Sequence, residues 1–115
     1  MDKNHKNQEW VFNQDIEAEQ TGPGAARKVL AFCDQAMCTE NHFVEGAVGP
    51  LHSHPHTQIV YIAEGRFRFT IGDTEREVKK GDTLLPPNSV VHGCVCLEKG
   101  IVVDFFTPMR DDFVK

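Results

Sequence analysis

The sequence predicts an all-β sandwich or barrel, on three observations. Short runs rich in β-branched and aromatic residues recur along the chain, turn residues separate them at regular spacing, and no segment carries a helical period. The 115 residues are enough for one hydrophobic core and too few for two, and a composition of 40% hydrophobic and 25% charged residues is ordinary for a globular domain. Neither an internal repeat nor a low-complexity segment interrupts the pattern.

Taken in order, residues 1–9 are polar throughout and are expected as a loose tail, leaving 10–115 as a single domain. Trp10-Val11-Phe12 suggests a short strand or a patch that packs on a partner subunit. Thr21-Gly22-Pro23-Gly24 is a turn, because glycine supplies positive φ and proline fixes the bend. Strands are predicted at Arg27 to Phe32 and Met37 to Val44, with a weak hairpin signal at Asp34-Gln35. Ile59-Val60-Tyr61-Ile62-Ala63 is strand-like, and Glu64-Gly65 is read as its end. Phe67, Phe69 and Ile71 alternate with Arg66, Arg68 and Thr70, the pattern of a half-buried strand whose aromatic side joins the core. Gly72-Asp73 marks a hairpin leading to a polar strand, Thr74 to Val78, and Lys79-Lys80-Gly81-Asp82 is a further turn. Thr83 to Leu85, Val90 to Leu97 and Ile101 to Phe106 supply three more strands, divided by Pro86-Pro87-Asn88-Ser89 and Glu98-Lys99-Gly100.

The formal net charge of −5 leaves no basic stripe to neutralise phosphates and argues against nucleic acid as a partner. No stretch approaches the roughly 20 apolar residues of a spanning helix, and the amino terminus lacks an apolar signal core. Cys33, Cys38, Cys94 and Cys96 have neither zinc-ribbon spacing nor the density of a disulfide scaffold, so they are read as reduced thiols of a cytoplasmic protein.

Chemistry concentrates in His52-Ser53-His54-Pro55-His56-Thr57-Gln58, which holds three of the six histidines. On a strand, His52, His54 and Gln58 share parity and point the same way. Converging neutral imidazoles make a site for a divalent transition metal. The bland reading is a solvated strand face, and Pro55 breaks any ladder there. His92, far along the chain in another strand-like run, is a fourth candidate ligand, as expected of a site assembled from separate segments.

These residues resemble the cupin family. The first cupin motif places a glycine, a His-x-His pair, a carboxylate and a second glycine at fixed intervals, matched here by Gly46, His52-Ser53-His54, Gln58 and Gly65. The second is matched by Gly81, Pro87 and His92, with Ser89 where the family has glycine and Cys96 where it has asparagine. The resemblance spans Gly46 to Cys96 and implies a double-stranded β-helix (a cupin or jelly-roll barrel) with one metal held by His52, His54, Gln58 and His92. Three histidines and an amide suit nickel, zinc, iron, cobalt or manganese. A neutral glutamine in the carboxylate place leaves the ion its full charge, which favours Lewis-acid work on anionic oxygens over dioxygenase chemistry. His56 is expected beside the ligands or at the surface, because Pro55 can set a bulge that re-aims it.

The closing segment, Asp104, Phe106, Pro108 and Arg110 at alternate positions, resembles that of the small single-domain pectin-degradation cupins, which linearise unsaturated uronates. Read by itself, Asp104 interrupts an apolar run from Ile101 to Phe106, where a carboxylate is costly unless paired. It is either an outward aspartate, a buried partner of Arg110 or Arg27, or a general acid or base facing the interior. Arg110 alone is a surface arginine; beside a metal site its planar fork suits a substrate carboxylate. Phe106 shares the parity of Asp104 and either packs in the core or covers one face of a sugar. The resemblance implies a metal-dependent enzyme acting on a small anionic sugar acid from pectin or alginate, with Asp104 and Arg110 in catalysis, Arg110 and Phe106 in substrate binding, and a homodimeric assembly. Another cupin enzyme (a dioxygenase, isomerase or cyclase) and a non-catalytic metal- or sugar-binding module are the alternatives.

Overall fold

The computed structural model describes residues 4–115. Its strands are β1 (Glu19–Gly22), β2 (Ala25–Cys33), β3 (Ala36–Phe43), β4 (Val48–His52), β5 (Thr57–Ile71), β6 (Thr74–Lys79), β7 (Thr83–Leu84) and β8 (His92–Thr107), with 3-10 turns at Asn13–Asp15 and Asp111–Phe113. Neighbours run in the order β1-β2-β3-β8-β5-β6, while β4 also pairs with β8 and β7 with β5. The two long strands β5 and β8 pair from Thr57↔Thr107 to Ile71↔His92 and carry the shorter ones at both ends. The result is the all-β, double-stranded β-helix barrel that the sequence led us to expect.

Several boundaries differ from that expectation, each for a physical reason. Glu64-Gly65 and Glu98-Lys99-Gly100 are not breaks between strands but facing irregularities inside β5 and β8. There the register shifts three times, and the five steps from Ile62 to Phe67 on β5 face six from Val102 to Cys96 on β8, so the inward phase of β5 switches from Gln58, Val60 and Ile62 to Phe67 and Phe69. Gly65 makes this possible: its φ is +84°, and a Cβ there would lie 2.5 Å from Lys99 O. Trp10-Val11-Phe12 forms no strand, and Trp10 and Phe12 stand exposed ahead of the first 3-10 turn. Nor is the preceding segment loose from His5 onward. The buried His5 ring donates through Nε2 to Val29 O and Leu30 O (2.9 and 3.0 Å), and Asn7 N–H donates to Phe32 O. Met1 to Lys3, the rest of that expected tail, lie outside the described residues.

Two apolar clusters fill the barrel. One joins Val60, Ile62, Phe67, Phe69, Cys94, Cys96 and Val102. The other joins Val29, Phe32, Met37 and Phe106, packed by Met109, Phe113 and Val114 of the carboxy-terminal segment. Phe67 and Phe69 are core residues as expected, and all four cysteines are free thiols. No helix among the described residues is long and apolar enough to cross a membrane.

Candidate metal centre and active site

The imidazoles of His52, His54 and His92 converge, with one nitrogen from each lying within 4.8 Å of the others. The strand parity invoked from sequence is not what aligns them. His52 ends β4, His54 lies in the link to β5, and Gln58 is the second residue of β5. Pairing and loop bonds do the work instead. His52 is the register partner of His92, Ser89 N–H donates to His54 O at 2.8 Å, and Asn88 Nδ2 donates to Pro55 O at 3.0 Å. The segment before His92 is thereby tied to the segment carrying His54. Ser89, where cupins have glycine, adopts a glycine-like φ of +66° to make this contact.

The tautomers are set by backbone carbonyls. His52 Nδ1–H donates to Pro50 O (2.8 Å) and His92 Nδ1–H to Val90 O (3.0 Å), which leaves each Nε2 with its lone pair free. His54 Nε2–H donates to Gln58 Oε1 at 2.8 Å. Among the described residues, His92 Nε2 and His54 Nδ1 are buried without a hydrogen-bond partner. Burial lowers the pKa of His54 and of His92, and the neighbouring histidines and Arg110 lower them further, so both are neutral lone-pair donors. Orphaned, neutral, clustered nitrogens beside an amide oxygen fit a divalent transition metal. An ion taken by His54 Nε2 would displace the proton that now links it to Gln58.

Asp104 faces the same cavity from β8. Asn41 Nδ2 donates to its Oδ2 at 3.1 Å, while Oδ1 is buried with no partner among the described residues. Burial pushes this carboxyl up to about 6 against the pull of Gln58, Asn41, Arg27 and Arg110. It is therefore neither an outward aspartate nor an ion-paired one. Arg110 is braced by Asp112, donating from Nε and Nη2 at 3.1 and 2.9 Å, and its Nη1 is buried without a partner among the described residues. Phe106 is 2% exposed, packs in the second core cluster as one of its two readings expected, and also lines the cavity. The cavity holds about 650 Å³ and brings His52, Gln58, His92, Asp104, Phe106 and Arg110 to one space.

A cupin-domain family model matches residues 40–106. This chain is a cupin. It is 39% identical over 98 residues to the pectin degradation protein KdgF of Dickeya dadantii, covering 84% of this chain and 89% of that protein. The structure of KdgF from a Halomonas species superposes with a TM-score of 0.86 at 34% identity, over 90% of this chain and 96% of that one. An RmlC-like cupin from Shewanella frigidimarina reaches a TM-score of 0.91 at 34% identity, over 96% and 99%. The polyketide cyclase RemF of Streptomyces resistomycificus shares the fold alone, with a TM-score of 0.76 at 19% identity.

The cupin site also contains Asn41 and Phe113, which the sequence reading missed, and Arg27, which it named only as a possible partner of Asp104. Asn41 fixes Asp104, and Arg27 and Phe113 line the cavity. Their signal lay in strand phase. Met37, Thr39, Asn41 and Phe43 alternate inward on β3, as do Ala25, Arg27 and Val29 on β2, so a polar side chain in either series belongs to the interior. His56 is not one of the converging three. Its ring meets His54 edge-on at 5.4 Å, beside rather than within the cluster.

Proposed function

We propose that this cupin opens the ring of a 4,5-unsaturated monouronate from pectin or alginate breakdown and delivers a linear keto-acid. The observation that carries the reading is the meeting, around one cavity, of a three-histidine cluster, a buried carboxyl and an arginine with a spare donor. The relatedness to two proteins called KdgF, one of them described as a pectin degradation protein, supports the same substrate class.

His52, His54, Gln58 and His92 are the ligand set. A divalent ion held there would supply Lewis-acid stabilisation of an anionic oxygen, undiminished by any ligand charge. Arg110 Nη1 binds the substrate carboxylate, and the Phe106 ring covers a face of the sugar. Asp104 Oδ1 accepts the proton of the anomeric hydroxyl. The bond from carbon 1 to the ring oxygen then breaks, its electron pair goes to that oxygen, and carbon 1 becomes an aldehyde. The enolate gains a proton at carbon 4 from the same carboxyl, leaving a ketone at carbon 5 with no net change in protons. A carboxyl that titrates at about 6 is suited to both transfers near neutral pH.

The test follows the ultraviolet absorbance of the conjugated uronate in deuterium oxide. Metal-loaded protein is expected to accelerate its loss and give product bearing one deuteron at carbon 4, and Asp104→Asn to slow that loss. A rate no faster than the spontaneous one would remove the activity. Equal rates with and without Asp104 would remove the carboxyl from the mechanism.

A further inference from the structure

We propose that Arg27 is the second arm of a two-arginine carboxylate clamp, in which Phe113 holds the guanidinium groups of Arg27 and Arg110 against the cavity so that the site selects a sugar acid over its neutral ester. The inference rests on the uronate reading and adds the residue that sets its charge preference.

Arg27 sits in the inward phase of β2 between the buried Ala25 and Val29, where packing alone would favour an apolar side chain. Its guanidinium carbon lies 3.6 Å from the centre of the Phe113 ring, and that of Arg110 lies 4.3 Å from the same centre. Two like charges are thus gathered on one aromatic ring in a partly buried place, where Arg110 disfavours the charge on Arg27. The acidic groups acting on Arg27 are Glu19, its register partner on β1, together with Asp112 and Asp104. Asp112 already takes two donors of Arg110, and Asp104 is held by Asn41. Glu19 offsets the charge of Arg27 from β1; the repulsion left on the cavity side, where Arg110 Nη1 has no partner among the described residues, would be relieved by an anion that reaches both forks. A carboxylate meets that need with its two oxygens and an ester does not. Stacking on Phe113 fixes the planes beforehand, so little side-chain freedom is lost when the acid binds.

The test uses metal-loaded protein and two ligands that lack the double bond, galacturonate and its methyl ester, with binding read by calorimetry. Wild type is expected to prefer the acid. In Arg27→Gln, acid affinity should fall by roughly 10- to 100-fold and ester affinity much less, the range for a lost hydrogen bond to a charged group. Arg27→Lys should recover part of the preference, and it carries the test if the glutamine variant loses its metal or its strand circular-dichroism signal. An acid-to-ester ratio unchanged in both variants overturns the clamp. If that ratio is unchanged while wild type still turns over the unsaturated uronate, the clamp fails and the linearisation reading stands. If wild type shows the Arg27-dependent preference but leaves the unsaturated uronate unchanged, the linearisation reading fails and the clamp stands.

Discussion

Replacing Asp104 by asparagine separates what its carboxyl costs the fold from what it does for the chemistry. Burial raises this group from an ordinary 3.8 to about 6. Between those values the folded chain keeps a proton that the unfolded chain has released. Stability therefore falls as pH rises through the window and is level on either side of it. A gap of roughly two pH units corresponds to about 3 kcal/mol, fully present above about pH 7 and absent below about pH 4. Asparagine keeps the shape of the side chain and an oxygen for Asn41 to donate to, but it carries no charge. His54 and His92, whose pKa values are lowered in the fold, destabilise both proteins alike as pH falls below about 6.5, so the difference between the two isolates Asp104. Urea denaturation in the presence of chelator is the assay. Asp104→Asn is expected to exceed the parent by about 2–3 kcal/mol near pH 8, with the advantage vanishing towards pH 4. The same variant, reloaded with metal, should lose roughly 100- to 10,000-fold in turnover. An equally stable variant at pH 8, or a gap that ignores pH, would refute the reasoning, because Asp104 would then be a solvated or fully paired carboxylate.

Three further perturbations probe the fold and the site. Ser89 adopts φ +66°, so Ser89→Gly should stabilise the protein by about 0.5–1 kcal/mol, the cost of the left-handed backbone less the extra freedom glycine gives the unfolded chain; thermal melting reads it, and a loss of stability would contradict it. Phe67 is fully buried in the first core cluster, and Phe67→Ala should cost about 3–5 kcal/mol in chemical denaturation; a loss under about 1 kcal/mol would mean that the barrel is loosely packed there. Arg110→Lys keeps the charge but loses the fork and the brace to Asp112, and should raise KM by roughly tenfold or more; an unchanged KM would take Arg110 away from the substrate.

How much of this was legible in the sequence depended on the range of the signal. Gly46, His52, His54, Gln58, Gly65, Gly81, Pro87 and His92 stand at fixed offsets, so the family and the converging histidines could be read before any fold was drawn. The local route to that convergence was misread, because alternation assumes one continuous strand and β4 ends at His52. Glu64-Gly65 looked like a terminus since glycine at positive φ usually marks a turn, yet pairing with β8 carries β5 through it. Asp104, Phe106 and Arg110 were named as candidates and Arg27 only as a possible partner of Asp104, whereas Asn41 and Phe113 were not. Their part in the cavity arises from cross-strand register and from the carboxy-terminal turn folding back over β2, neither of which is written in local residue order.

Our central claim is that a single ion binds where His52, His54 and His92 converge beside Gln58. Chelated protein should be titrated with a divalent transition metal while loss of the unsaturated uronate is followed in the ultraviolet. Turnover should start near the spontaneous rate, climb linearly and break at one ion per chain, and His92→Ala should abolish the climb. Full turnover in the chelated protein, or an unaltered titration in His92→Ala, would contradict it.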